Sequence, residues 1–94
     1  MTCRIDRLMS EGDVVLMSIS GRLTAQDAET LRTFVVREPR VAFDLRDLLF
    51  VDRAAIGLLA VIEASGAELR NCPPYIREWV AQERRRMERA DGDV

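Results

Sequence analysis

Apolar and polar positions alternate with a period of two from Val14 to Ser20. Val15, Met17 and Ile19 share one face, Val14 and Leu16 the other. That period belongs to a strand. Ahead of it, Ile5, Leu8 and Met9 mark a short extended segment, and Ser10-Glu11-Gly12-Asp13 supplies turn chemistry between the two. Two strands joined by a four-residue turn containing glycine predict an antiparallel hairpin. The spacing then changes. Ala28, Leu31, Phe34 and Val35 recur on one helical face, with Glu29 and Arg32 off it. Thr24 suits the N-cap, Asp27 can answer it in a capping box, and Pro39 ends the helix near Glu38.

Val41 to Leu45 is short and apolar on both faces, as a central strand covered from both sides would be. After a short loop, Asp52 can cap a second, nearly all-apolar helix running from Arg53 to about Ala64, and Gly66 sits where a left-handed cap would stop it. Gly57 inside this helix costs about 1 kcal/mol relative to alanine; close packing of the helix on the sheet is the expected reason. Ala67, Leu69 and Asn71 alternate with Glu68 and Arg70, giving a short, half-exposed strand. Pro73-Pro74 opens a last helix to about Arg89, where proline's missing N–H is no loss. Ile76, Trp79, Val80 and Met87 form its stripe, which Glu83 interrupts, and Asp91-Gly92-Asp93-Val94 reads as a frayed tail. The order strand, strand, helix, strand, helix, strand, helix favours parallel neighbours, with only the first strand antiparallel. The expected fold is α/β: a mixed, mostly parallel sheet packed with three helices, as a single domain over 1–94.

Composition narrows the chemistry. The net charge of -2 comes from 14 basic and 16 acidic residues, too balanced to make nucleic acid or an anionic membrane the main partner. Every basic residue is arginine and histidine is absent, which removes the commonest general base and metal ligand. Ser10, Ser18, Ser20 and Ser65 therefore have no histidine to activate them, and no enzyme activity or cofactor is expected. Asp44, Asp47 and Asp52 are spread over a strand end, a loop and a cap, which speaks against a magnesium site. Cys3 and Cys72 lack metal-ligand spacing, and no secretory leader calls for a disulfide between them. Residues 1–10 carry Arg4, Asp6 and Arg7 in place of a signal peptide's apolar core. The longest apolar stretch, Ala54 to Ile62, is too short to span a bilayer. A cytoplasmic protein without direct membrane insertion is the expectation.

The segment from Val41 to Leu59 resembles the signature of the STAS family, the sulphate-transporter and anti-sigma-factor-antagonist domain. Members read a hydrophobic run, Asp-Leu, four or five residues and then Asp-Ser-Ser-Gly-Leu-Gly; here the last part is Asp52-Arg53-Ala54-Ala55-Ile56-Gly57. Asp44-Leu45 looks like the family's Asp-Leu, and Asp52 and Gly57 fall at the signature Asp and second Gly. Gly21-Arg22-Leu23-Thr24-Ala25 looks like the step into the family's first helix. Gly66-Ala67-Glu68-Leu69 resembles the strand after its signature helix, and Asn71 to Arg77 sits at its Asn-x-x-Pro segment. The resemblance covers most of the chain and departs from the pattern twice. The phosphorylated serine of switchable members corresponds to Ala54, the serine before it to Arg53, and the first signature glycine to Ala55. The chain also ends in an arginine-rich helix where longer members add a strand and a helix.

The resemblance implies a non-catalytic protein-interaction module like an anti-sigma-factor antagonist, without the serine phospho-switch at Ala54. Its partner would be a kinase-like anti-sigma factor. The alternative is a small regulatory subunit bound to the ATPase of a lipid transporter. Partner contact is implied for Asp52, Arg53, Ala54, Ala55, Gly57 and Leu58. Self-association into a homodimer stays open. Asp52 also has a simpler role as an N-cap. Arg53, a cation opposing the macrodipole in the first turn of a helix, either folds back on Asp52 or Asp47 or faces an acidic partner. The Arg84-Arg85-Arg86 run, with Glu83 able to pair with Arg86, reads as a solvated face. Trp79 reads as a pin for the last helix.

Overall fold

The computed structural model describes residues 3–37 and 40–92. The hairpin forms as its pattern predicts. Strand β1 (Cys3–Glu11) runs antiparallel to β2 (Val14–Leu23), and the turn between them carries Gly12 at φ 62. The inward set Val15, Met17, Ile19 and Leu23 is buried, while Leu16, Ser18 and Ser20 on the other face are half-covered.

Helix α1 (Ala28–Arg37) follows a single 3₁₀ turn, Ala25–Asp27. The Thr24 N–H donates to Asp27 Oδ2 at 3.1 Å and the Asp27 N–H to the Thr24 carbonyl at 2.9 Å, so the expected capping pair tightens the entry. Leu31 carries the buried stripe, with Ala28, Phe34 and Val35 half-buried beside it. The predicted stop at Glu38-Pro39 lies outside the described residues, as do Asp93 and Val94 of the predicted tail. Asp91 and Gly92 continue the last helix.

Strand β3 (Val41–Asp44) pairs parallel with β2, Val15 opposite Val41 and Ser18 opposite Asp44. It is buried on both faces, with Val41 and Phe43 towards the helices and Ala42 between Leu16 and Glu68. The segment expected to be a loop is a fifth strand, β4 (Leu48–Val51). It continues along the same edge of β2, which is long enough to pair with two successive partners: Val15 to Ser18 with β3, then Gly21 to Leu23 with β4. Strand β5 (Glu68–Arg70) pairs parallel with the outer edge of β3. The sheet order is β1-β2-β3-β5 with β4 alongside β2. Only the β1–β2 pair is antiparallel.

Helices α2 (Arg53–Ala64) and α3 (Pro74–Gly92) complete the layer. Ile56, Leu59, Ile62, Ile76 and Val80 enter one core with Leu31, Phe43, Leu69 and the inner face of β2. Trp79 and Met87 pack on its margin. Glu63 ties the two helices: its carboxylate meets Arg77 at 3.5 Å and Arg84 at 3.1 Å. Arg84 thus leaves the solvated face foreseen for the arginine run, while Glu83 pairs with Arg86 at 3.4 Å as foreseen. Gly66 stops α2 at φ 113, which a residue with a Cβ resists. Among the described residues no helix is long and apolar enough to cross a membrane.

Gly57 departs from its expected role. A Cβ placed on it would meet nothing within 4 Å, so close approach to the sheet does not explain it. It lies on the outer side of α2, in line with exposed Ala54, Val61 and Ala64.

Candidate functional site

The parallel strands β2 and β4 end together, and α2 starts there. Asp52, between β4 and α2, holds both helix entries. One carboxylate oxygen accepts the Ala55 N–H at 2.8 Å and caps α2; the other accepts the Ala25 N–H at 3.1 Å, at the turn that opens α1. The Asp52 N–H donates to the Leu23 carbonyl at 3.3 Å. An N-cap is visible in sequence from its spacing. The bond to Ala25, 27 positions away, requires the β2–β4 pairing first.

The six positions implied for partner contact separate by helical phase. Arg53 and Ala54 are exposed, Asp52 and Gly57 half-buried, and Ala55 and Leu58 buried against the core. Ala55 and Leu58 thus support the surface from beneath. Arg53 forms no ion pair with Asp52 or Asp47 among the described residues, and its guanidinium stands free at the helix mouth.

A neighbouring apolar group was not singled out from the sequence. Leu49 is 76% exposed and Phe50 41%, both in β4. The register slips between Gly21 and Arg22, so Leu49 is an extra residue in the β4 ladder and points out of it. Arg22 lies over the Phe50 ring, 4.7 Å from its centroid, a cation–π contact worth about 0.5–1 kcal/mol at an exposed site. Tyr75, exposed at the start of α3, donates its hydroxyl to the Leu49 carbonyl at 2.9 Å. A signal was present in the sequence: four successive apolar residues, Leu48 to Val51, cannot all face one core from a pleated strand. Aromatic side chains with arginine are the composition enriched at protein interfaces.

Other candidate chemistry lies elsewhere. Asp44 accepts the Arg46 N–H at 3.0 Å and meets its guanidinium at 3.5 Å. Cys3 and Cys72 are free and half-buried. Burial, then the Asp27 carboxylate, pushes the Cys3 thiol up to about 11; burial likewise raises Cys72, partly opposed by Arg77. Both thiols are protonated at neutral pH and are poor nucleophiles there. A groove on the outer side of α1, lined by Glu29, Arg32, Thr33, Val36 and Arg37, holds no nucleophile–base pair. Comparison of the chain with protein-family models and with curated proteins gives no match.

Proposed function

We propose that this chain is a non-catalytic protein-interaction module of the anti-sigma-factor-antagonist kind, docking on a protein partner through the first turn of α2 and the adjoining β4 segment. The observation that supports this most is the free, exposed Arg53 beside Ala54, on a helix start that Asp52 holds in place from two sides. An unpaired cation in the first turn of a helix costs about 0.3–1 kcal/mol against the macrodipole. Nothing within the described fold compensates that cost, and an acidic surface on the partner would do so. Ala54 has no hydroxyl, so a kinase cannot release the partner at that position.

The test compares the parent with Arg53→Glu. The variant improves the dipole interaction by about 0.3–1 kcal/mol, so its melting temperature stays level or rises. Its association with the partner weakens by at least about 2–5 kcal/mol, the usual cost of losing one member of a desolvated charge pair. The partner is isolated from source cytoplasm on the parent protein and identified by mass spectrometry, which separates an anti-sigma kinase from a transporter ATPase. Titration calorimetry then compares the two proteins, with Val36→Ser on the far side of α1 as the control. Equal affinity of parent and Arg53→Glu would remove this helix mouth as the docking surface. A variant that melts well below the parent would return Arg53 to the internal structure.

A further inference from the structure

Among the described residues, strand β1 pairs with β2 on one side only, and its other edge is the end of the sheet. We propose that this edge is a homodimer interface, in which Cys3–Arg7 pairs antiparallel with the same segment of a second copy about a two-fold axis through Ile5.

The register follows from charge and pleat. A two-fold axis normal to the sheet places one residue opposite itself and its neighbours opposite each other in reverse order. Five centres are available in the regular stretch before the bulge between Arg7 and Met9, and the one at Cys3 would draw residues 1 and 2 into the ladder, outside the described residues. An axis at Arg4 sets Arg4 against Arg4. One at Asp6 sets Asp6 against Asp6, and one at Arg7 sets Arg7 against Arg7. Like charges directly opposite are destabilising. The axis at Ile5 sets Arg4 against Asp6 of the second copy and Asp6 against Arg4, two opposite-charge pairs related by symmetry.

The two faces of the strand support the same register. Ile5 pairs with Ile19 on the helix-bearing side and packs on the margin of the core. Two Ile5 side chains meeting across the axis therefore extend the core through the interface. Arg4 and Asp6 stand on the opposite side, 74% and 44% exposed, and bridge each other within one chain at 2.9 Å. Both are free to add a partner across the new ladder, because a carboxylate and a guanidinium each hold more than one hydrogen bond. The bulge near Leu8 breaks the regular ladder and confines the pairing to about five residues, an average strand. The opposite edge of the sheet, β5, is only three residues long and has its Glu68 and Arg70 engaged with each other. Pairing through β1 thus closes at two copies and does not grow into a fibre. It leaves β4, on the other side of β2, uncovered in both copies.

Sedimentation equilibrium over a concentration series tests the interface on the intact chain. The parent is expected to show a monomer–dimer equilibrium. On the face that carries positions 4 and 6, Arg4→Asp gives chains with two carboxylates and Asp6→Arg gives chains with two guanidiniums; each alone should dimerise about tenfold more weakly or worse. An equal mixture of the two variants should recover dimer, as should the double exchange Arg4→Asp with Asp6→Arg. Circular dichroism checks that each variant is folded. Should a single variant fail to fold, hydrogen exchange on the parent supplies the reading: β1 amides gain protection as concentration rises while β5 amides do not. A parent that stays monomeric up to its solubility limit overturns the proposal. So does a dimer indifferent to either charge reversal, or a variant mixture that stays monomeric.

Discussion

Replacing Asp52 separates two contributions that one carboxylate makes. Its first oxygen caps α2 through Ala55 at 2.8 Å, and its second joins the opening turn of α1 through Ala25 at 3.1 Å. Removing an N-cap costs about 1 kcal/mol, within a range of 0.5–2. A hydrogen bond to a charged acceptor contributes about 1.5–3 kcal/mol when buried. The Ala25 bond is exposed, so about 1 kcal/mol is the better figure. Asp52→Ala should therefore cost roughly 2–3 kcal/mol, a large share of a typical total of about 5–15. Asp52→Ser keeps one acceptor oxygen for Ala55 and cannot also reach Ala25, so its cost should be roughly 1 kcal/mol. Urea unfolding followed by circular dichroism reads both. With an m-value of about 1–1.5 kcal/mol/M, Asp52→Ala shifts the midpoint down by roughly 2 M and Asp52→Ser by roughly 1 M, at unchanged m. If Asp52→Ser unfolds at the parent's midpoint, the bond between the two helix entries contributes nothing. If serine and alanine fall together, the capping role is what fails.

Gly57→Ala should stabilise the protein by about 0.5–1 kcal/mol, because the added methyl meets no atom and the helix loses its least favourable interior residue; a lower melting temperature would contradict the open space found there. Leu59→Ala, at a fully buried position, should cost about 2–5 kcal/mol, and a melting point unchanged within a few degrees would show that the buried face of α2 is wrongly assigned. Alkaline stability depends on Cys3, whose proton the folded chain holds up to about 11 against an ordinary 9.0. The folded pKa is the higher one, so this contribution is complete below the ordinary value and disappears as pH rises through the folded value. Cys3→Ser should lose less stability than the parent between those two pH values when their urea midpoints are compared.

Local chemistry made several elements readable along the chain. The turn at Gly12, the Thr24–Asp27 pair, the Asp52 cap and the Gly66 stop all act within three or four residues, so their spacing in sequence is their spacing in space. The period-two burial of β2 and the stripes of α1 and α3 follow from the same geometry. The mixed sheet with an antiparallel first strand was legible because short connections restrict how such elements can be ordered. β4 was not, since four apolar residues without alternation carry no strand period, and their pairing depends on β2 extending beyond β3. The role of Gly57 is not legible in the chain, because a helix sequence shows which residues are small but not which side meets the sheet. The candidate surface divides in the same way. Asp52, Arg53 and Ala54 could be named from the chain, whereas the outward position of Leu49, the stacking of Arg22 on Phe50 and the Tyr75 bond to Leu49 arise from segments distant in sequence. The caps, turns and amphipathic elements other than β4 follow from forces that act over one turn of backbone, and so they can be read along the chain. The register of β4, the exposed side of α2 and the second bond of Asp52 come from the folded chain, because each depends on which distant segment packs against it.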